Sequence, residues 1–312
     1  MRLSKYMQQN LRSPISNAPL IIERDQLKSV DNESDKFPII NGCPILINEK
    51  NSLFKISDFL SGKDTTVTLK RSKLKRLAEK IVPTSSINLK AERNYEKIIK
   101  MLPSGGKILV LGGSYKGEGM EDFYANKFFD LVSTDVSFGP DADLICDAHD
   151  IPFNDSTFDC VIIQAVLEHV IDPARCVHEI HRVLKDNGLV YAETPFMQQV
   201  HMGRFDFTRF THLGHRRLFR SFYEIDSGPV GGPGMALAWS YIYFLRSFAW
   251  SSKSSKILVF LGKCTSFFWK YFDYFLIDKP GSYDAAAGYF FMGKKSNDFI
   301  TDHELIRDFK GL

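Results

Sequence analysis

The chain has 312 residues, enough for one large domain with additions or for two domains. Its 44% hydrophobic and 25% charged residues are ordinary for a folded globular protein, which excludes wholesale disorder, a collagen-like fibre and a disulfide scaffold. The 40 lysines and arginines barely exceed the 37 aspartates and glutamates, so the net charge favours no particular partner and we expect no nucleic acid.

The cysteines and the first residues favour a cytoplasmic location. The five cysteines are odd in number and lack CxxC spacing, and residues 1–20 contain no apolar run of the kind found in signal peptides. No window reaches the roughly 18 uncharged apolar residues that a membrane span needs. We therefore expect a cytoplasmic protein that does not cross a bilayer.

Residues 1–60 have the pattern of a small β module. Apolar runs occur at 19–24, 36–40 and 43–48, and Asn41-Gly42 between the last two favours a type I′ hairpin. The run 37–47 resembles the closing hairpin of a zinc-ribbon-like module, but Cys43 stands alone, so we expect a metal-free remnant. Residues 61–103 are a basic connector, in which the spacing predicts two helices between 66 and 101, broken at Pro83.

The next hundred residues alternate strand and helix, which predicts an α/β fold with a mostly parallel sheet covered on both faces. An amphipathic helix is predicted over 173–185, starting at Asp172-Pro173. Further elements are a helix near 214–222 and strands near 222–228 and 286–293. The predicted central strands cover 107–111, 130–135, 142–146, 158–163 and 188–193.

A ligand-binding edge is predicted where these strands end. Gly112 and Gly113 follow the first strand, where glycine allows a sharp turn and close approach of a ligand. Asp135 ends the second strand 23 residues after Gly112, near the spacing at which an acidic residue binds ribose hydroxyls. A plain turn and an exposed strand-end aspartate remain alternatives. The spacing G-x-G-x-x-G is absent, which disfavours a nicotinamide dinucleotide.

The run CDAHDIPFNDSTFD at 146–159 and Leu-Glu-His-Val at 167–170 are a stronger signal. Together with the glycine turn they resemble the class I S-adenosylmethionine-dependent methyltransferases over residues 104–200 and, more weakly, over 286–293. The resemblance implies a Rossmann-like sheet with a helical insertion before the last strand, and S-adenosylmethionine as the cofactor.

The resemblance also implies which residues meet the cofactor. Gly112, Gly113 and Ser114 would contact its methionine and ribose, Asp135 the ribose diol, and Asp147 the adenine amino group. The remaining implied contacts are Val136 beside Asp135, Ala148 and His149 beside the adenine, and Gln164 at the methyl-donor site. Val110 and Ser114 depart from the family's acidic and glycine positions, so an inactive cofactor-binding subunit remains an alternative.

Ionisable residues after the fifth strand are candidates for chemistry on the acceptor. His201, Asp206 and Arg209 form an H-x-x-x-x-D-x-x-R-x-T pattern that resembles methyltransferases of polysaccharide biosynthesis. His201 would be the base, Asp206 its orienter or an acceptor contact, and Arg209 a substrate anchor; alternatively, Asp206 and Arg209 pair to organise a lid. His169 is a second candidate base. His178 and His181 lie off the apolar face of their helix without a third ligand, so we expect no metal.

Residues 239–277 hold 14 of the 41 aromatic residues. Helical spacing places Ile257, Phe260, Leu261, Cys264, Phe268, Tyr271, Phe272 and Phe275 on one apolar stripe. Lys256, Lys263 and Lys270 recur on another stripe. Such a helix fits a membrane surface, a second copy of the chain in a homodimer, or its own domain. If the first holds, the protein would be peripheral at the inner face of the membrane.

These patterns predict a methyltransferase domain over 104–296, with an acceptor-side lid at about 195–222, a helical insertion at about 233–284 and a tail at 297–312. The expected reaction is O-methylation of a sugar or lipid-linked glycan in polysaccharide biosynthesis. Methylation of a lipid quinone or another small apolar metabolite is the alternative.

Overall fold

The computed structural model describes residues 2–63, 65–66 and 82–312. Its described residues form an 11-stranded sheet in the order β1-β2-β3-β4-β7-β6-β5-β8-β9-β11-β10. The strands are β1 (Leu20–Glu23), β2 (Gln26–Ser29), β3 (Lys36–Ile40), β4 (Cys43–Leu46), β5 (Lys107–Leu111), β6 (Asp130–Asp135), β7 (Leu144–Cys146), β8 (Phe158–Gln164), β9 (Leu184–Pro195), β10 (Phe222–Gly231) and β11 (Gly288–Lys295).

The centre of the sheet is parallel, as the alternation of elements predicts. Strands β7, β6, β5, β8 and β9 run parallel, and β11 pairs antiparallel with both β9 and β10. The α/β fold class is therefore confirmed. The N-terminal strands form an antiparallel meander whose last strand, β4, pairs parallel with β7 and so extends the main sheet. Asn41 and Gly42 have φ of 51° and 79°, as the predicted type I′ turn requires.

Helices flank the sheet and form the insertion. In chain order they are α1 (Lys5–Gln9), α2 (Ile56–Leu60), α3 (Ala91–Met101), α4 (Glu121–Ala125), α5 (Pro173–Val183), α6 (His212–Leu218), α7 (Pro233–Arg246), α8 (Ser252–Ser266), α9 (Asp273–Leu276), α10 (Pro280–Ala285) and α11 (Asp302–Arg307), with 3₁₀ turns at Gly203–Phe205 and Phe267–Phe272. The predicted helix before Pro83 lies mostly on residues 67–81, outside the described residues. Strand β2 and helices α1, α2 and α11 were not predicted.

Alternate side chains of each central strand pack on opposite faces of the sheet. Leu109 and Leu111 of β5 join the apolar face of α5 and the N-terminal segment in one core. Ile108 and Val110 join Tyr95 of α3 in a second core on the other face. Covering both faces leaves the carboxyl edge of the parallel strands as the place where polar side chains meet a ligand.

The insertion is anchored by a buried carboxylate. Asp273 accepts hydrogen bonds from the backbone N–H groups of Gly232, Gly234 and Met235, at 3.1, 2.7 and 2.9 Å, at the start of α7. A carboxylate there satisfies N–H groups that a helix leaves unpaired and complements the helix dipole. This contact fixes the position of α7 relative to the end of the insertion.

The predicted stripe on 256–277 faces solvent rather than the domain. All eight of its residues are exposed, and Phe275 keeps 72% of its surface accessible. The small residues Gly262 and Ser266 are buried instead, and a Cβ at Gly262 would lie 3.1 Å from Ile242 of α7. The structure thus contradicts the interpretation that this stripe packs on its own domain.

The predicted lysine stripe is wrong at its third member. Helix α8 ends at Ser266 and a 3₁₀ turn follows, so the 3.6-residue period stops there. Lys270 is only 7% exposed, and its Nζ donates to the carbonyl of Ser86 at 3.5 Å. Within residues 2–63, 65–66 and 82–312, none of the helices has the length and apolarity needed to span a membrane.

Candidate active site

A cavity of about 290 Å³, the first cavity, opens at the carboxyl edge of the parallel strands. Its wall includes the ends of β5, β6 and β7 and the turn after β8. Its size is near the lower end of the range, about 300–1,000 Å³, for small-molecule sites. Seven of the nine predicted cofactor-binding residues line it: Gly112, Ser114, Asp135, Val136, Asp147, Ala148 and His149.

The turn after β5 is built around Gly112. Gly112 has a φ of +77°, and a Cβ there would lie 2.2 Å from Cγ2 of Val166. Next along the turn, the backbone N–H of Ser114 donates to Oδ2 of Asp135 at 3.0 Å. Burial raises the pKa of Asp135, and this hydrogen bond opposes the rise. A carboxylate accepts several hydrogen bonds, so Asp135 can also receive ligand hydroxyls.

Asp147 is fixed by groups from two directions. Its Oδ1 lies 2.6 Å from Nδ1 of His149, and its Oδ2 accepts from the hydroxyl of Ser52 at 2.6 Å. The backbone N–H of Asp172 donates to Nε2 of His149, which places the histidine proton on Nδ1. Burial raises the pKa of Asp147, but the hydrogen bonds from His149 and Ser52 lower it overall. Asp147 is therefore held ionised in the wall of the cavity.

The N-terminal region supplies part of this wall. Leu53, Phe54 and Thr66 line the first cavity, and Ser52 holds Asp147 from outside. Sequence reasoning missed all four residues, because the β module gave no sign that the segment after it would cover the strand edge. The apolar pair Leu53-Phe54 within an otherwise polar run was the available signal.

Two predicted cofactor contacts do not line the first cavity. Gly113 lies behind it, where a Cβ would lie 2.0 Å from Oγ of Ser133. The side chain of Gln164 is directed away from the first cavity. Its Nε2 donates to Glu193 at 2.9 Å, and its Oε1 accepts from Tyr95 at 3.2 Å. Because both ends of its amide are engaged, Gln164 acts as a support for Glu193. Val110, which departs from the family pattern, packs in the core.

A second cavity of about 200 Å³ adjoins the first. Ala165, directly after β8, lines both cavities and has a φ of 54°, a conformation that is strained for a residue with a Cβ. Met235 and Trp239 of α7 form an apolar side. The polar lining consists of Asn88, Glu118, Glu168, Glu193, Thr194, Gln198 and His201.

The four predicted catalytic residues lie next to one another, with His169 and His201 at the two cavities. His169 lines the first cavity and His201 the second, and their rings lie 4.8 Å apart in a T-shaped arrangement. Asp206 is 3.2 Å from Nδ1 of His201 and accepts from the backbone N–H of His201 at 2.8 Å. Two nitrogens of Arg209 donate to the same carboxylate. The pattern therefore forms one connected group.

Arg209 uses its hydrogen-bond donors to hold this group together. Besides Asp206, its guanidinium donates to the carbonyls of Gln198, Gln199 and Thr208. The structure favours the interpretation in which Asp206 and Arg209 organise the segment, and Arg209 has little capacity left for a substrate. Burial raises the pKa of Asp206, but the hydrogen bonds from Arg209 and the backbone N–H of His201 lower it well below its usual range.

Glu168 completes this group and was not predicted as a site residue. It is buried, and its Oε1 lies 3.5 Å from Nε2 of His169 and 3.9 Å from Nε2 of His201. Burial raises the pKa of Glu168 to about 8. Burial also lowers the pKa of His169 and of His201, so both imidazoles are neutral near pH 7. The only sequence signal was its place beside His169 in Leu-Glu-His-Val.

The histidines of α5 and α6 lie away from this site. His212 and His215 of α6 are buried against aromatic residues such as Tyr289 and Phe219, and neither lines the two cavities. His181 Nε2 lies 2.9 Å from the carbonyl oxygen of Ser296, while His178 is exposed. These two histidines remain predicted to bind no metal.

Comparisons with known proteins identify the central region. Residues 122–192 match the family model described as a methyltransferase domain. Two curated relatives, the demethylmenaquinone methyltransferases of Paenarthrobacter aurescens and Renibacterium salmoninarum, are 38% and 40% identical over 81 residues. The matches cover 22% of this chain and 32% and 34% of the relatives. The chain thus spans about a third of the length of these relatives.

The comparisons also match a solved structure, that of phosphoethanolamine N-methyltransferase 2 of Haemonchus contortus in complex with S-adenosyl-L-methionine. It is 16% identical, with a TM-score of 0.42, and the match covers 66% of this chain and 52% of that chain.

Proposed function

Because the chain carries a class I S-adenosylmethionine-dependent methyltransferase domain, we propose that it methylates a hydroxyl oxygen of a sugar, in particular of a lipid-linked glycan. The observation that supports this proposal is the second cavity, which adjoins the first at Ala165 and combines hydrogen-bonding side chains with Trp239. Carboxylate and amide groups pair with hydroxyls, and an indole face suits the apolar face of a sugar ring.

The first cavity fits the cofactor. Asp135 offers a buried carboxylate for a ribose diol, and the turn at Gly112 leaves no room for a Cβ. Asp147, held by Ser52 and His149, is an acceptor for an adenine amino group. When bound, S-adenosylmethionine supplies an electrophilic methyl group on a sulfonium. Ala165 and the surrounding wall would direct that group toward the second cavity.

His201 is the residue that we assign to remove the acceptor proton. Asp206 Oδ2 and the carbonyl of Gln199 lie near Nδ1 of His201, at 3.2 and 3.4 Å, which keeps the ring proton on Nδ1. The lone pair of Nε2 is then available at the second cavity. Since burial lowers the pKa of His201, the imidazole is neutral near pH 7 and able to accept a proton.

The surface beside the second cavity supports an acceptor attached to a lipid. Helix α7 places Trp239 in the cavity and leaves Phe244 exposed farther along, and Phe248 is exposed just after the helix ends. The indole of Trp250 is 99% exposed, and the aromatic stripe of α8 also faces outward. This apolar surface would contact the lipid or membrane that presents the acceptor. The alternative proposal for the same surface is contact with a second copy of the chain, in a homodimer through residues 239–277.

A lipid quinone is the second candidate acceptor. The two curated relatives are named for action on demethylmenaquinone, and the same apolar surface would suit a prenylated ring. The polar lining of the second cavity favours the sugar, because a quinone ring would leave the buried and unpaired carboxyl group of Glu168 without a hydroxyl partner.

Transfer of labelled methyl groups tests the proposal. The protein is incubated with methyl-labelled S-adenosylmethionine and separated glycan, lipid-linked glycan, quinol and small-metabolite fractions. We expect label in a methylated sugar after acid hydrolysis, and a loss of roughly 10²–10⁴-fold in turnover for His201→Ala with cofactor affinity retained. The matched control is His178→Ala, because His178 is exposed on α5.

Other outcomes separate the alternatives. Label in the quinol fraction alone would replace the sugar by the second candidate. Label in no fraction, with cofactor binding intact, would support the inactive-subunit alternative. An equal loss of cofactor affinity and turnover in His201→Ala would identify His201 as a structural residue of the lid.

A further inference from the structure

Three side chains bring electron-pair donors to one point between the two cavities. They are Glu168, His169 and His201, here called the Glu168–His169–His201 cluster. One ligand atom from each lies within 4.8 Å of the others. His169 lines the first cavity, and Glu168 and His201 line the second. The cluster therefore lies where a methyl donor and its acceptor would approach each other.

Hydrogen bonds on the far side of each ring orient both histidines toward Glu168. Nδ1 of His169 lies 2.7 Å from the carbonyl oxygen of Phe205, and Nδ1 of His201 lies 3.2 Å from Oδ2 of Asp206. Oxygen acceptors at Nδ1 place each proton there, so both Nε2 atoms carry lone pairs. Arg209 Nη2 is also 3.4 Å from Nδ1 of His201, but it donates to Asp206 at 2.9 Å.

The carboxylate that these lone pairs face has no other partner. Neither oxygen of Glu168 makes a hydrogen bond with any of the residues that the structure describes, although the side chain is almost fully buried. A buried polar group without a partner is costly. Two lone pairs and an unpaired carboxylate that face each other require a positive species between them, either a proton or a cation.

We propose that the Glu168–His169–His201 cluster binds a divalent first-row transition metal ion such as Zn²⁺ or Mn²⁺. Two imidazoles and one carboxylate are a ligand set used for such ions, whereas Mg²⁺ and Ca²⁺ prefer oxygen ligands alone. The second partners also fit, because metal-binding histidines commonly donate their other N–H to a carbonyl or a carboxylate. Here Phe205 and Asp206 provide these two acceptors.

The role of the ion rests on the proposed function. Three protein ligands leave coordination positions for an acceptor hydroxyl, whose pKa a bound cation lowers. The hydroxyl proton then passes to water, the oxygen–carbon bond forms and the carbon–sulfur bond of the donor breaks. With the ion bound, Nε2 of His201 is a metal ligand and the ion activates the hydroxyl. Without the ion, Nε2 of His201 is free to act as the base assigned above.

Metal binding by the protein alone tests the inference without an acceptor. Chelator-treated protein is titrated with Zn²⁺ by calorimetry and with Mn²⁺ by electron paramagnetic resonance. We expect one equivalent to bind, and Glu168→Gln to weaken binding by at least 30-fold. His178→Asn is the matched control, since it removes an exposed histidine from α5 and should leave the affinity unchanged.

Two further variants keep the inference falsifiable if Glu168→Gln does not fold. His169→Asn removes a ligand, and Asp206→Asn removes only the acceptor behind His201, for which we expect a loss of roughly 10–100-fold in metal affinity. Wild-type protein that binds no more Zn²⁺ than His169→Asn would overturn the inference and leave a proton shared within the cluster. Metal binding without methyl transfer would support the site and count against the proposed function alone.

Discussion

Replacing Asp135 by asparagine tests the assignment of the first cavity most directly. The side chain is buried at the end of β6, and its Oδ2 accepts from the N–H of Ser114 at 3.0 Å. An asparagine can keep that hydrogen bond through its amide oxygen. It replaces the other carboxylate oxygen by an N–H₂ group and removes the charge, so the change acts mainly on the ligand.

The magnitude follows from the hydrogen bonds that would be lost. A hydrogen bond to a charged group contributes about 1.5–3 kcal/mol, and ribose offers two hydroxyls to one carboxylate. We expect Asp135→Asn to weaken binding by about 2–3 kcal/mol, which is roughly 30–150-fold in Kd. S-adenosylmethionine and S-adenosylhomocysteine should lose the same factor, because both carry the same adenosine.

Calorimetric titration with both ligands measures these affinities. Asp143→Asn is the matched control: Asp143 accepts from the backbone N–H of Ser133 at 3.1 Å, just before β7, but does not line the first cavity. The assignment would be refuted by an Asp135→Asn protein that binds within about threefold of wild type. An equal loss in Asp143→Asn would show that the effect is indirect.

The parts of the site that the sequence predicts are those fixed by strand geometry. Parallel strands end at one edge of a sheet, so the acidic residue that ends β6 and the one that follows β7 had to lie near each other. Asp135 and Asp147 accordingly line the same cavity. The residue at the end of β8, Gln164, followed the same rule, but its side chain is held on the other side by Glu193 and Tyr95.

The parts that the sequence does not predict depend on contacts between distant segments. Ser52 contacts Asp147 although 95 positions of the chain separate them, and no periodicity in the sequence predicts that contact. Glu168 gains its significance only when the segment after β9 brings His201 within 3.9 Å of it. Apart from its place beside His169, nothing local distinguishes this glutamate from an ordinary residue of the turn before α5.

The insertion shows what periodicity alone can determine. The spacing in 256–277 identified an apolar stripe, but a stripe can face the domain, a partner or solvent. Gly262 and Ser266 determine which face of α8 packs on the domain, because small residues let α8 approach α7 closely at Ile242. The large aromatic side chains then lie on the outer side, where they form the exposed surface.

That surface and the buried histidines of α6 give two further predictions. Vesicles containing an anionic phospholipid should capture the protein in sedimentation, and a Trp250→Ala/Phe275→Ala variant should remain in solution; a vesicle-indifferent dimer in light scattering would favour the second-copy interpretation instead. Burial lowers the pKa of His212 and of His215 to about 3, against about 6.5 for an unfolded histidine. Below pH 6.5 the unfolded chain therefore binds protons that the folded chain does not, and stability falls by about 1.4 kcal/mol per pH unit for each histidine until the pH reaches the folded value. Urea unfolding at pH 7.5 and 5.0 measures the loss, and a His215→Phe variant, which keeps an aromatic ring beside Phe219, should lose about 2 kcal/mol less than wild type over this interval. The control His178→Asn, at an exposed site, should lose the same stability as wild type over this interval. If His215→Phe also loses as much stability as wild type, His215 is not held neutral in the folded protein.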